Sequence, residues 1–117
     1  MSERDDCIFC KIADGKMKSN IVYQDDELLA FPDISPLAPT HILIIPRKHI
    51  GSVADLSGTD SYLVGAMAKI AKKLAVENGI SQKGFRLVIN SGPEGGQGVP
   101  HLHMHLLGGR QMGNKLG

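Results

Sequence analysis

The chain has 117 residues, 42% of them apolar, a length for one domain with enough apolar material for a core. Its 13 basic residues nearly balance its 12 acidic ones, so broad electrostatic capture of nucleic acid is not expected as its main business. No apolar run reaches the ~18 residues of a membrane span, and the charged opening MSERDD fits neither a secretory signal nor a transit peptide. The expected location is cytoplasmic, with no membrane partner.

Residues 7–15, CIFCKIADG, read as one or two helical turns stopped by Gly15. Cys7 and Cys10 have the Cys-x-x-Cys spacing, which in a reducing compartment points to metal or redox chemistry before a structural disulfide. No βαβ pattern surrounds them, which argues against a thioredoxin-like pair. Residues 20–33, NIVYQDDELLAFPD, read as a hairpin turning at Asp25 and Asp26. Pro32, Pro36 and Pro39 then impose an irregular loop. THILIIP, 40–46, is too short for a helix and rich in isoleucine, so a strand buried on both faces is expected. From Thr59 to Asn78 the pattern is helical, with Leu63, Met67, Ile70 and Leu74 on one stripe. Lys72 and Lys73 sit near its end, and Gly79 can supply a left-handed stop. GFRLVINSG, 84–92, reads as a strand and PEGGQGVP, 93–100, as a glycine-rich loop. HLHMHLLGG, from His101, is the last strand, and 108–117 a tail. The sum is one α+β domain over 1–117: a five-stranded antiparallel sheet, one long helix and a short N-terminal helix. One helix covers one face of such a sheet, so a second copy of the chain is an expected partner.

Three of the five histidines fall within His101–His105. On a strand, residues two apart share a face. His101, His103 and His105 therefore point one way, toward a cleft, and Leu102, Met104 and Leu106 point to the core. One metal held by all three is unfavourable, because the outer pair stand roughly 13 Å apart at a rise of about 3.3 Å per residue. A solvated polar strand is a poor account of three imidazoles beside a glycine loop. Division of labour remains: one imidazole attacks, and its neighbours set its tautomer and stabilise charge. Phosphorus is a suitable electrophile. Gly92, Gly95, Gly96 and Gly98 would let backbone N–H groups approach an anion closely.

His101-Leu102-His103-Met104-His105-Leu106-Leu107 resembles the histidine triad motif. FPDISPLAPTHILIIPRKHI, VINSGPEGGQ and HLLGGRQM resemble the Hint branch of that family, the purine nucleoside phosphoramidases, and the likeness spans roughly residues 7–112. It implies a HIT-like fold, a homodimer whose sheets join, and hydrolysis of the P–N bond of purine nucleoside phosphoramidates through a nucleotidyl-histidine. His103 takes the place of the nucleophile and His105 that of its phosphate-contacting neighbour. His101 and His41 join the catalytic set, His41 in a supporting role. Asp33 matches the carboxylate that holds the ribose hydroxyls. Ile8, Phe9, Phe31, Ile34 and Leu43 match the purine slot. Asn90, Gly96, Gln97 and Gly98 match nucleotide contacts, with AMP or GMP as the bound form. The tail is implied to pack near the partner copy's site.

Cys7 and Cys10 need two more ligands for a closed tetrahedral zinc. The resemblance supplies His49 and His101, so a structural zinc is implied and no organic cofactor. Two other activities compete: cleavage or transfer on dinucleoside polyphosphates or sugar nucleotides, and nucleotide binding as a non-catalytic scaffold. Transferases of the family typically carry glutamine at the third triad position, where this chain has His105. One departure stands out: at Gly98 animal Hint proteins carry a serine thought to assist the leaving amine.

Overall fold

The computed structural model describes residues 4–116; Met1–Glu3 of the charged opening and Gly117 of the tail lie outside the described residues. The first helix, α1 (Ile8–Ala13), starts at Cys7, whose Sγ accepts the Cys10 N–H at 3.4 Å. It ends where Gly15 takes φ +76°. The hairpin follows as β1 (Tyr23–Gln24) and β2 (Leu28–Pro32), with the Asp25 carboxylate accepting the N–H groups of Glu27 and Leu28 across the turn. β3 (Thr40–Pro46) is buried along all but its first residue, as its isoleucine run predicts. A 3-10 turn (Val53–Asp55) leads to the long helix α2 (Tyr62–Glu77), whose stripe Leu63, Met67, Ile70 and Leu74 is buried. Asn78 closes it through its side chain on the Leu74 carbonyl, and Gly79 turns the chain at φ +71°. β4 (Phe85–Val88) and β5 (Met104–Gly108) complete an antiparallel sheet of order β1-β2-β3-β5-β4.

Two apolar clusters flank the sheet. On one face Leu28, Ala30, Ile42, Ile44, Leu102, Met104 and Leu106 meet the stripe of α2. On the other, Leu29, Phe31, Leu43 and Ile45 meet Cys7, Phe9 and Cys10 of the α1 segment. The expectation that the protein's own helix covers only one face is therefore corrected: α1 covers part of the second. Along β3 the second face runs from His41 through Leu43 to Ile45, and α1 packs over the Ile45 end.

The last two strands are shorter than expected. His101–His103 do not join the ladder, because the Leu102 N–H donates to the Ile50 carbonyl at 2.6 Å and the His101 N–H turns back to Val99. Alternation survives all the same, with Leu102, Met104 and Leu106 in the core and the histidines opposite. β4 stops at Val88, ahead of a loop in which the Asn90 side chain donates to the Gly95 carbonyl at 2.7 Å. The tail begins one residue late, since Gly108 pairs with Thr40 in the sheet. Among the described residues no helix is long and apolar enough to cross a membrane.

Candidate functional site

The histidine face divides between two environments. At the α1 end, one ligand atom each of Cys7, Cys10, His49 and His101 lies within 4.8 Å of the others. His101 Nδ1 stands 3.2 Å from Cys7 Sγ and 3.5 Å from Cys10 Sγ, and His49 Nδ1 stands 3.3 Å from Cys10 Sγ. His101 Nε2 lies 2.8 Å from the Pro46 carbonyl, which can only accept, so Nε2 carries the proton. Nδ1 is therefore bare and faces the sulfurs. A ligating imidazole held by a carbonyl behind it is the usual arrangement around a metal, because that bond fixes the tautomer and the ring. Two thiols and two imidazoles form a donor set suited to tetrahedral zinc. Burial and the neighbouring Cys7 push the Cys10 thiol up to about 11, and burial pushes His101 down to about 4. Both shifts express the cost of charge in a dry pocket.

At the middle of the face, His103 Nδ1 lies 2.7 Å from the carbonyl of His101. The same reasoning puts the proton on Nδ1 and leaves Nε2 bare. Phe9 packs edge-on against this ring, at 5.2 Å between centroids. At the open end, the Leu37 N–H donates to His41 Nδ1 at 3.1 Å. His41 must then carry its proton on Nε2, which donates to His105 Nδ1 at 2.9 Å. His105 is thereby held with its proton on Nε2. Burial, with His103 and His41 beside it, pushes His105 down to about 4, so it is neutral at neutral pH. Burial likewise lowers His41, against the opposing pull of Asp33. Asp33, His41 and His105 also approach closely enough to suggest a second cation site. The Leu37 N–H argues against one: a metal on His41 Nε2 would require an imidazolate, since Nδ1 is already an acceptor. The face thus offers a bare nitrogen on His103 beside a donor on His105, with rings 5.0 Å apart. That pairing can attack an electrophile and stabilise the anion that results.

A HIT domain model matches residues 14–112. The chain belongs to the HIT domain family. It is 50% identical to the purine nucleoside phosphoramidase of Escherichia coli over 112 residues, which is 96% of this chain and 94% of that protein. An uncharacterized HIT-like protein of Buchnera aphidicola is 45% identical over 93% of this chain and 96% of its own. Among solved structures, a histidine triad protein from Clostridium difficile superposes with a TM-score of 0.94 at 46% identity, covering 98% of this chain and all (100%) of the other. A HIT family hydrolase from Legionella pneumophila has a TM-score of 0.89 at 52% identity, covering 92% and 96%. Cys7 and Cys10 precede the matched span and His49 and His101 lie within it, so the four-residue cluster joins the α1 segment to the matched HIT region.

Within this HIT fold the expected site residues are brought together unevenly. Phe9, Phe31 and Leu43 are buried against one another, and Ile8 and Ile34 are at the surface, Ile34 almost fully. Asp33 accepts the Ser35 N–H at 2.8 Å and keeps its second oxygen 3.6 Å from His41 Nε2. Gly96 turns at φ +78° beside the Asn90 amide. A Cβ added at Gly98 meets nothing within 4 Å. The Gln97 amide is already engaged: it accepts from Gly92 N–H at 2.9 Å and donates to the carbonyls of Gly51 and Val99 at 2.6 and 2.9 Å. Gln97 therefore ties the glycine loop to the segment after His49. The Pro46 carbonyl and the Leu37 N–H were not foreseen, since a backbone group has no sequence signal.

Proposed function

We propose that this chain hydrolyses the P–N bond of purine nucleoside 5′-phosphoramidates through a nucleotidyl group on His103. The observation that carries the reading is the pair of opposed tautomers, with Nε2 bare on His103 and protonated on His105. His103 Nε2 attacks the α-phosphorus as the P–N bond breaks and the amine leaves with a proton. Water then attacks the same phosphorus, the P–N bond to His103 breaks, and the nucleoside monophosphate departs. The His105 Nε2–H faces the developing charge on phosphate oxygens; the expected help from the glycine loop is limited, because the N–H groups of Gly92, Gly95, Gly96 and Gln97 already donate within that loop. His41 holds His105 in tautomer, and His101, with both ring nitrogens engaged, positions His103 through its carbonyl. Asp33 has acceptor oxygens for ribose hydroxyls, and Ile8, Phe9, Phe31, Ile34 and Leu43 border the purine. The E. coli relative's activity supports this assignment.

Cys7, Cys10, His49 and His101 hold a structural zinc in this reading, and the ion has no part in the chemical steps. The working form is a cytoplasmic homodimer of one-domain chains, 1–117, with tails from about residue 108 near the partner's site. β4 is an edge strand in the sheet order, which leaves a side for a second sheet to join. Purified protein should turn over aminoalkyl phosphoramidates of adenosine and guanosine faster than dinucleoside polyphosphates. His103→Ala should abolish turnover and the covalent nucleotidyl mass while AMP or GMP still binds. A faster rate on dinucleoside polyphosphates would instead select cleavage of those substrates. Binding with no turnover would select a scaffold.

A further inference from the structure

A cavity of about 920 Å³ lies beside the cysteine–histidine cluster, and neither His103, His105 nor Asp33 lines it. Cys7, His49, Ser52 and Asp55 do. The cluster is thus approached from the side of Cys7 and His49, while Cys10 and His101 are sealed, each 0% exposed. Ile8 and Gln97 of the nucleotide-binding set reach its wall, but the chemical steps at His103 give this cavity no task. The two sulfurs are no more than 4.8 Å apart, and a disulfide needs about 2.05 Å, a closure that draws Cys7, the N-cap of α1, toward Cys10.

We propose that Cys7 and Cys10 are an oxidative modification site: a small hydroperoxide entering through this cavity converts the metal-bound thiolates to a disulfide, releases the ion and disarms His103. The inference rests on the metal reading above. Cys7 thiolate attacks a peroxide oxygen; the S–O bond forms, the O–O bond breaks, and hydroxide or alkoxide leaves. Cys10 thiolate then attacks the Cys7 sulfur; the S–S bond forms, the S–O bond breaks, and a second hydroxide leaves. Two electrons pass from the thiolates to the peroxide, and two protons from buffer acid convert the leaving oxyanions to water or alcohol. His49 and His101 alone would then remain to hold the ion, two imidazoles in place of a four-residue donor set. Both cysteines are buried, and the order follows from the cavity: Cys7, 5% exposed and on its wall, reacts first, and Cys10, at 0% and off the wall, resolves.

Two contacts carry the change to the nucleophile. The carbonyl of His101, a cluster member, fixes the His103 tautomer at 2.7 Å. Phe9, between the two cysteines, packs on the His103 ring. Disulfide formation repositions the start of α1 and frees the His101 ring from the ion.

The test takes the metal-loaded protein, measures its metal content, and titrates it with hydrogen peroxide. Intact mass without reductant, metal release to a colour-forming chelator, and turnover of an adenosine phosphoramidate are followed together. The expected result is a chain lighter by two hydrogens, one ion released per disulfide, and turnover lost in the same proportion. Thiol reductant plus zinc should restore all three. Asp55→Phe, on the cavity rim and outside the catalytic set, should slow disulfide formation several-fold with basal turnover unchanged. Protein that carries no metal overturns the metal reading itself. Metal-bearing protein that loses turnover without a disulfide, or forms one with turnover intact, overturns the switch alone. Asp55→Phe protein oxidised at the parental rate overturns the entry route.

Discussion

His101 and His103 sit two residues apart on one face of one segment, yet they are opposite tautomers. Each has its proton pinned by a backbone carbonyl, that of Pro46 for His101 and that of His101 for His103. The carbonyl of His101 lies near its neighbour's Nδ1, so the nitrogen left bare on His103 is Nε2, at the far end of the ring. On His101 it is Nδ1, close to the main chain and turned to the sulfurs. A bare nitrogen near the backbone suits a closed cluster, and one at the ring's tip suits reaching a substrate. The same residue type thus becomes a ligand or a nucleophile according to which nitrogen the main chain occupies.

The strongest way to break the metal half is Cys10→Ser. It removes a fully buried ligand, and the expected loss is on the order of 2–4 kcal/mol, ~10 °C in Tm for a chain of this size. Metal content and thermal unfolding check it; unchanged values for both would remove the cluster's structural role. Turnover per folded molecule should fall less than stability does.

The catalytic half breaks at His41→Phe, which keeps a ring and removes the Nε2–H that holds His105. The expected drop in kcat is on the order of 10²-fold, with KM moving little. Loss confined to KM would assign His41 to substrate binding instead.

A smaller effect sharpens the comparison through pH. His105, faced by His41, His103 and Asp33, is pushed by burial to about 4 in the folded chain, against about 6.5 when unfolded. Between these values the unfolded chain binds a proton that the folded one resists. Stability from this group is therefore full above about pH 6.5 and falls as pH drops toward 4. Denaturant midpoints across the window should show the slope, to which His101 and His41, also lowered, contribute, and His105→Gln should reduce it. A slope unaltered in that variant would place the protons elsewhere.

The smallest expected change is at Gly98. An added Cβ there has open space, so Gly98→Ser should fold normally and supply a hydroxyl beside the leaving amine. The gain for amines that leave poorly should exceed that for good ones by up to ~10-fold, below the ~10²–10⁴ of a full proton donor. An equal effect on both classes would show that the hydroxyl has no such role.

Local pattern determined much of this protein. The isoleucine run of β3, the four-residue stripe of α2, the turn at Asp25 and the stop at Gly79 were all legible, because each follows from side-chain period or glycine's freedom over a few residues. The His-x-His-x-His alternation told which side chains share a face, even where the ladder does not extend. What it could not tell is that the face is split. His101 turns away because Leu102 hydrogen-bonds to Ile50, a partner outside the sheet, and α1 buries Phe9 on the triad from the far end of the chain. Nor could pattern find Pro46 and Leu37, whose main-chain groups set the tautomers, or the Gln97 amide that fastens the glycine loop. Those choices depend on groups tens of residues apart meeting at hydrogen-bond distance, and only the closed tertiary structure brings them there.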